Sequence, residues 1–322
     1  MRFMRFMRFL QYLRWLGAVG LLGFVPTQVQ AQAHALDVPY VTTPQVVVDA
    51  MLKIANVGAN DFLIDLGSGD GRIVINAAKK FGTRGFGVDL DDNLVRIARR
   101  NAESEGVKDR AEFFTRNLFD TDLGKASVIS MYLFNSVNLR LRPSLFKLKP
   151  GTRLVSHDFD MAKWTPDAKL TIDVPGKSYG PPQSDIFLWV VPADFSGSWT
   201  WRMPIEGASH AYDVAFEQTF QMAEGKGRVA ARPAPVGEVS IRGDTIRFVM
   251  GATIDGKTTW RDFRGRISGD EIIGNVVTVV QGDAVNKSQE PAPWRATRTA
   301  RGKMIIDVSI DPMDQPKLAA RV

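Results

Sequence analysis

Apolar and polar positions change their period once along the main body of the chain. Between residues 43 and 191, short apolar runs alternate with amphipathic stretches. Thr43–Ile54 has helical spacing and carries Pro44 in its first turn, where a missing N–H costs nothing. Strands are expected at Asp61–Asp65, Gly85–Asp89, Arg110–Thr115, Ala126–Met131 and Thr152–Ser156. Helices are expected between them at Asp70–Phe81, Asn93–Glu105 and Asn135–Leu148. Lys169–Val174 and Ile186–Val191 close the series as an antiparallel pair. Strands this short, and apolar on both faces, suit a sheet covered by helices. After Pro192 the helical period is not sustained. Trp199–Met203, Tyr212–Phe220, Val236–Arg242, Thr245–Met250, Thr258–Arg266, Glu271–Val280 and Trp294–Arg298 read as strands separated by short turns. That pattern predicts an antiparallel meander closing into a small barrel or sandwich. The expected organisation is a leader over 1–35, an α/β domain over 36–192 and a β-domain over 193–322.

The leader changes the charge picture. Arg2, Arg5, Arg8 and Arg14 precede an apolar stretch, Trp15–Val25, that is shorter than the roughly 20 residues of a membrane span. Val29-Gln30-Ala31 and Ala33-His34-Ala35 offer small residues at two cleavage positions. An exported chain, periplasmic or membrane-anchored, is the expectation; a non-functional leader would leave it cytoplasmic. The chain carries 41 Lys+Arg against 35 Asp+Glu, net +6, and losing the four leader arginines brings it to +2. No nucleic-acid partner is therefore expected. The absence of cysteine excludes disulfides and leaves the compartment open.

The chemistry concentrates at residues 61–91. An apolar strand ends in Asp65, glycines follow at Gly67, Gly69 and Gly71, and a second strand ends in Asp89. This strand–loop–helix–strand order builds a site for a nucleoside-bearing cofactor at the open edge of a parallel sheet. The loop around Ser68 offers backbone N–H donors. A dinucleotide fingerprint needs its third glycine where Arg72 stands, and Asp70 places negative charge where a diphosphate would sit. A cofactor with a cationic or zwitterionic end fits better. A carboxylate at Asp89 can take both ribose hydroxyls. The three histidines are far apart in sequence, and no metal is needed.

The strings DLGSGDGR and GVDLD resemble the class I, seven-stranded S-adenosylmethionine-dependent methyltransferases. PYVTTPQVVVDAML, VISMYLFNSVNLRLRPSL and LKPGTRLVSHDFD bring the resemblance closer to the Dot1-like lysine methyltransferases and those acting on the ATP synthase c subunit and the adenine nucleotide carrier. The resemblance covers residues 38–191 and implies a Rossmann-like seven-stranded sheet that binds S-adenosyl-L-methionine. It implies that Tyr40 and Thr42 lie over the methionine part. Asp65, Gly67, Ser68, Gly69 and Gly71 would hold its amino and carboxylate ends, Asp89 with Leu90 the ribose, and Asn117 with Leu118 the adenine. Relatives often carry an aspartate at the position of Asn117. Tyr132 would face the reacting amine, where relatives often place an Asn-Asn or Pro-Pro-Tyr element. Asn135 either lines the site or caps a helix, and His157 is either a base or substrate contact or a packed structural histidine. The β-domain is only loosely calycin-like, and its Trp199, Trp201 and Trp260 line a pocket, a partner face or the core.

The resemblance points to a protein lysine as acceptor, a membrane-associated protein included. Tyr132 and Phe134 form an uncharged aromatic lip suited to its alkyl stem. The alternatives are a non-catalytic binding protein that keeps the cofactor fold, and a small-molecule methyltransferase. A β-domain blocking the site would favour the binding protein.

Overall fold

The computed structural model describes residues 40–177, 180–205, 207–280, 287–288 and 290–306; the leader expected over 1–35 lies outside them. The first sheet has seven strands: β1 (Phe62–Leu66), β2 (Arg84–Asp89), β3 (Ala111–Thr115), β4 (Val128–Met131), β5 (Arg153–His157), β6 (Ala168–Asp173) and β7 (Gln183–Val190). Their order is β3-β2-β1-β4-β5-β7-β6. β1 to β5 pair in parallel, and β7 runs antiparallel to both its neighbours. The order reverses between β1 and β4, so a crevice opens at the carboxyl ends of those two strands.

Alternation along β1 decides which helices cover which face. Leu63 turns toward α1 (Gln45–Ile54), α2 (Arg72–Phe81) and α3 (Asp92–Ser104), packing with Met51, Val74 and Ala98. Ile64 and Leu66 turn the other way, toward Val137, Leu141 and Leu145 of α4 (Asn135–Leu145). Most boundaries shift by one to three residues from expectation, and two of the shifts have a visible cause. Gly71 is left-handed at φ 83°, so α2 begins at Arg72 and Asp70 stays in the turn. α4 contains Pro143 and ends at Leu145 instead of Leu148.

The remaining strands form a second sheet. They are β8 (Gly197–Ile205), β9 (Ala208–Thr219), β10 (Met222–Val229), β11 (Arg232–Ala234), β12 (Val236–Arg242), β13 (Thr245–Ile254), β14 (Lys257–Ser268), β15 (Glu271–Val280), β16 (Lys287–Ser288) and β17 (Ala292–Arg301). The path runs β11-β10-β9-β8-β17-β15-β14-β13-β12, with β16 paired on β15. Its two ends meet, which nearly closes a barrel. Gly225 and Gly227 of β10 face β12 so closely that a Cβ on either would lie 2.6 Å from a Val236 methyl. The interior is filled with rings: Phe248 stacks on Phe263 at 4.9 Å, and Trp201 meets Trp294 at 5.2 Å. Trp199 and Trp201 are core residues of this barrel.

Both sheets belong to one compact unit. The segment joining them is buried at Val191, Ala193 and Phe195. Phe220, at the β9–β10 turn, stacks with Trp164 at an interplanar angle of 11°, and Phe146 lies 4.1 Å from Trp164. Gln221 donates to the Thr165 carbonyl at 2.6 Å, and the Ala193 N–H donates to the Gly243 carbonyl at 2.7 Å. Gly243 packs on Gly151, just ahead of β5. The barrel is therefore anchored at the amino edge of the first sheet, opposite the crevice.

Candidate active site

The carboxyl ends of β1 and β2 build one half of the site. Asp65, at 3% exposure, takes a 2.7 Å hydrogen bond from the Ser130 hydroxyl. Burial pushes its carboxyl up to about 7, the negative Asp89 and Asp70 add to the rise, and Ser130 opposes it. Beyond Asp65 the chain turns through left-handed Gly67 (φ 79°) and Gly69 (φ 52°). The Gly67 and Ser68 N–H groups both donate to the Val88 carbonyl at 2.9 Å, tying the loop to β2. Asp89 accepts from the Gly69 N–H at 2.9 Å and from the Asp91 N–H at 3.0 Å. The Ser68 hydroxyl is buried over the Gly87 backbone and has no partner among the described residues.

The segment ahead of α1 covers this loop. The Tyr40 ring lies so near Gly69 that a Cβ there would come within 2.6 Å of it. Arg72 grips Asp70 at 2.9 and 2.6 Å and donates to the Thr43 carbonyl at 2.6 Å. Burial alone would raise the Asp70 carboxyl, but this ion pair holds it below the usual carboxylate range. The negative charge expected at the start of α2 is thus paired. Burial and the Asp70 carboxylate raise the Tyr40 phenol.

The tips of β4 and β5 build the other half. The Tyr132 ring lies 3.9 Å from the His157 imidazole and 5.9 Å from the Phe159 ring. Phe134 meets Phe159 edge to face at 5.3 Å. His157 is fully buried beneath Tyr132. Its Nε2 lies 2.9 Å from the Ser184 hydroxyl and 3.4 Å from the Asp158 carboxylate, and its Nδ1 lies 3.4 Å from the Thr43 hydroxyl. Burial pushes the imidazole down to about 4; Asp158 opposes that shift and Lys177 adds to it. His157 is therefore neutral at neutral pH, and it ties the N-terminal segment and β7 to the floor of the site. Asn135 donates to the Asp160 carboxylate at 2.7 Å.

The structure brings Asp65, Gly67, Ser68, Gly69, Asp89 and Tyr40 together around the crevice, with Tyr132, Asn135 and His157 at the β4 and β5 tips. Gly71 faces away into the core, where a Cβ would lie 2.6 Å from the Phe113 ring. Thr42 is exposed, and its neighbour Thr43 is the one that turns inward. Leu90 is 38% exposed at the β2 tip. Asn117 spends its side-chain oxygen on the Phe119 N–H at 3.0 Å, capping a short turn, and Leu118 is half-buried beside it. Sequence reasoning missed Ser130 and Phe159. Ser130 stands in an apolar strand, and only the parallel pairing of Asp65 with Ser130 reveals its role. Phe159 reaches Tyr132 only through the turn after β5.

A family model described as the ANTKMT methyltransferase domain matches residues 65–168. A protein-lysine N-methyltransferase of Saccharolobus islandicus (strain REY15A) is 46% identical over 138 residues, 42% of this chain and 86% of that protein. The Rattus norvegicus lysine N-methyltransferase of the ATP synthase c subunit is 37% identical over 106 residues, 33% of this chain; the match spans about half (49%) of that relative's length. The crystal structure of an RNA methyltransferase from Salinibacter ruber in complex with S-adenosyl-L-homocysteine is 45% identical. It covers 52% of this chain and 99% of its own, with a TM-score of 0.44.

Proposed function

The chain belongs to the family of the class I S-adenosylmethionine-dependent protein-lysine N-methyltransferases, and we propose that it transfers a methyl group to a lysine side chain of a protein substrate. The residues present fit the cofactor. Asp65 is buried with one hydroxyl donor and lacks a cation to offset its charge, the need an amino group meets. The left-handed glycines Gly67 and Gly69 carry backbone without side chains around the turn after Asp65. Asp65 with the Gly67–Gly69 backbone would hold the amino-acid end, and Asp89 the ribose. Asn117 would reach the adenine side through its amide nitrogen, since its oxygen caps the turn.

S-adenosyl-L-methionine supplies a methyl already activated on a sulfonium, so the protein's work is alignment and exclusion of water. Tyr132 and Phe134 give an apolar wall that favours a neutral amine over an ammonium. Neutral His157 fixes the Tyr132 ring from beneath without adding charge to the floor.

The observation that carries the reading is the placement of the two halves: cradle and aromatic residues lie together at the carboxyl edge, while the barrel is anchored at the opposite edge. That supports an enzyme over a non-catalytic binding protein. Incubation of the full chain with labelled donor and host lysate, split into soluble and membrane fractions, tests it by site mapping. Label on lysine in one dominant protein is expected, and its appearance in the membrane fraction would support a membrane-associated substrate. Label confined to low-mass material or nucleic acid would overturn the reading. Measured donor binding with no label anywhere would favour the non-catalytic alternative. The arginine-rich start and short apolar stretch also support export to the periplasm or a membrane. A mature N-terminus at Gln32 or Leu36 from the native host is expected by mass spectrometry; intact Met1 in a soluble cytoplasmic fraction would contradict it.

A further inference from the structure

We infer that Phe159 and Asp160 complete the acceptor site, making it a three-sided aromatic channel with a carboxylate beside it that recruits a primary alkylammonium. The inference rests on the lysine reading above and adds which groups select the amine. The turn that carries both residues is held in an unusual conformation. Asp158 and Ala162, on either side of the pair, take φ of 59° and 50°, a region disfavoured for residues with a side chain. Such a turn persists only where its surroundings fix it, and here they do. The Ser156 hydroxyl donates to the Phe159 carbonyl at 2.6 Å. Asn138, from α4, donates to the carbonyls of Phe159 and Asp160 at 3.2 and 3.3 Å. Asn135 donates to Asp160 Oδ1 at 2.7 Å, and the Ala162 N–H donates to the same oxygen at 3.1 Å.

The result of this anchoring is placement. The Phe159 ring meets both Tyr132 and Phe134, so rings from β4 and from the turn after β5 share one half-exposed mouth. Two donors, the Asn135 amide and the Ala162 N–H, fall on Oδ1 of the Asp160 carboxylate. Nearby, Asn138 is fully buried and its side-chain oxygen has no donor. The Asp160 carboxylate, on the turn that carries Phe159, attracts a cation, and the ring faces pack on an apolar stem. Asp160 draws in the charged amine, which gives up a proton to solvent. The nitrogen lone pair then forms a bond to the methyl carbon as that carbon's bond to sulfur breaks, leaving a neutral thioether.

The test compares Phe159→Ala, Phe159→Tyr, Asp160→Asn and Asp160→Glu in the full chain. Label on lysine in host lysate and donor affinity by calorimetry are read side by side. Phe159→Ala and Asp160→Asn are expected to lose roughly ten-fold or more of the lysine label at unchanged donor affinity, while Phe159→Tyr and Asp160→Glu keep most of it. The Asp160→Asn loss should shrink as acceptor concentration rises, the mark of a recruiting group. Full labelling by both disruptive variants would overturn the inference. So would loss of donor affinity along with the label, which would make the turn a support of the fold. If the wild-type protein labels no lysine, the lysine reading falls and this inference with it; if only the variants fail to differ, the lysine reading stands.

Discussion

The crevice of the first sheet is built around a buried carboxylate on a glycine-rich turn, whereas the interior of the barrel is packed with aromatic rings. At the crevice, Asp65 sits buried with one hydroxyl donor, and the chain passes through left-handed glycines. In the barrel, Trp201, Phe248, Phe263 and Trp294 interlock. The buried guanidinium of Arg261 donates through its two terminal nitrogens to neutral acceptors, the Tyr212 hydroxyl and the Pro204 carbonyl, while its Nε and the Trp201 Nε1 find no partner among the described residues. Unmet polar demand at a topological switch point marks where a ligand is needed. A core filled with rings marks a scaffold. The Phe220–Trp164 contact joins the two, so the barrel can support the catalytic sheet from behind without approaching the crevice.

The largest effect expected from this contrast is on stability. Trp201→Ala should empty the barrel core and cost about 3–5 kcal/mol, read by denaturant unfolding. Donor affinity of the molecules that stay folded should not change. A large loss of affinity would show that the barrel interior and the crevice are coupled, and the contrast would fail.

Next in size is Asp89→Ala. It removes the proposed ribose ligand and the acceptor that anchors the Gly69 and Asp91 N–H groups. Donor affinity should fall by about 2–3 kcal/mol, measured by calorimetry, with the barrel's contribution to unfolding intact.

Acid and base should act on the crevice with opposite signs. The folded Asp65 carboxyl is raised to about 7, so the apo protein is favoured while Asp65 is protonated. That contribution is complete below the ordinary carboxyl value and is lost as pH rises through about 7. Melting curves across that range should show wild type losing stability relative to Asp65→Asn. Bound donor should restore more stability above about pH 7 than below it. His157 is depressed to about 4, so its contribution is present above its ordinary value and is lost as pH falls toward about 4. His157→Asn should flatten that acid limb.

The smallest effect expected is from Tyr40→Phe. It removes a hydroxyl that interacts with Asp70 and Arg72 but keeps the ring over Gly69. A loss of about 0.5–1.5 kcal/mol in donor affinity is expected; a larger loss would mean that the hydroxyl itself holds the donor.

Much of the first sheet was legible because its strands and helices differ in period and its loop glycines fall at fixed places. β10 was not. Its inward positions are Ala223, Gly225, Gly227 and Val229, and the two glycines, whose space is filled by Val236 and Met250, leave its apolar alternation too weak to read. At the site, Asp65 and Asp89 could be read from strand ends, whereas Ser130 and Phe159 come close only through pairing and a turn. His157 shows the limit of residue type as a guide. Its chemistry suggests a base, but its burial beneath Tyr132 gives it a positioning role.

Titration of S-adenosyl-L-methionine into the full chain, followed by calorimetry and repeated with Asp65→Ala and Trp201→Phe, tests the central claim most directly. The account predicts saturable binding by wild type, its loss in Asp65→Ala, and its retention in Trp201→Phe. Absence of binding by wild type at millimolar donor, or equal binding by Asp65→Ala, would contradict the assignment of the crevice as the donor site.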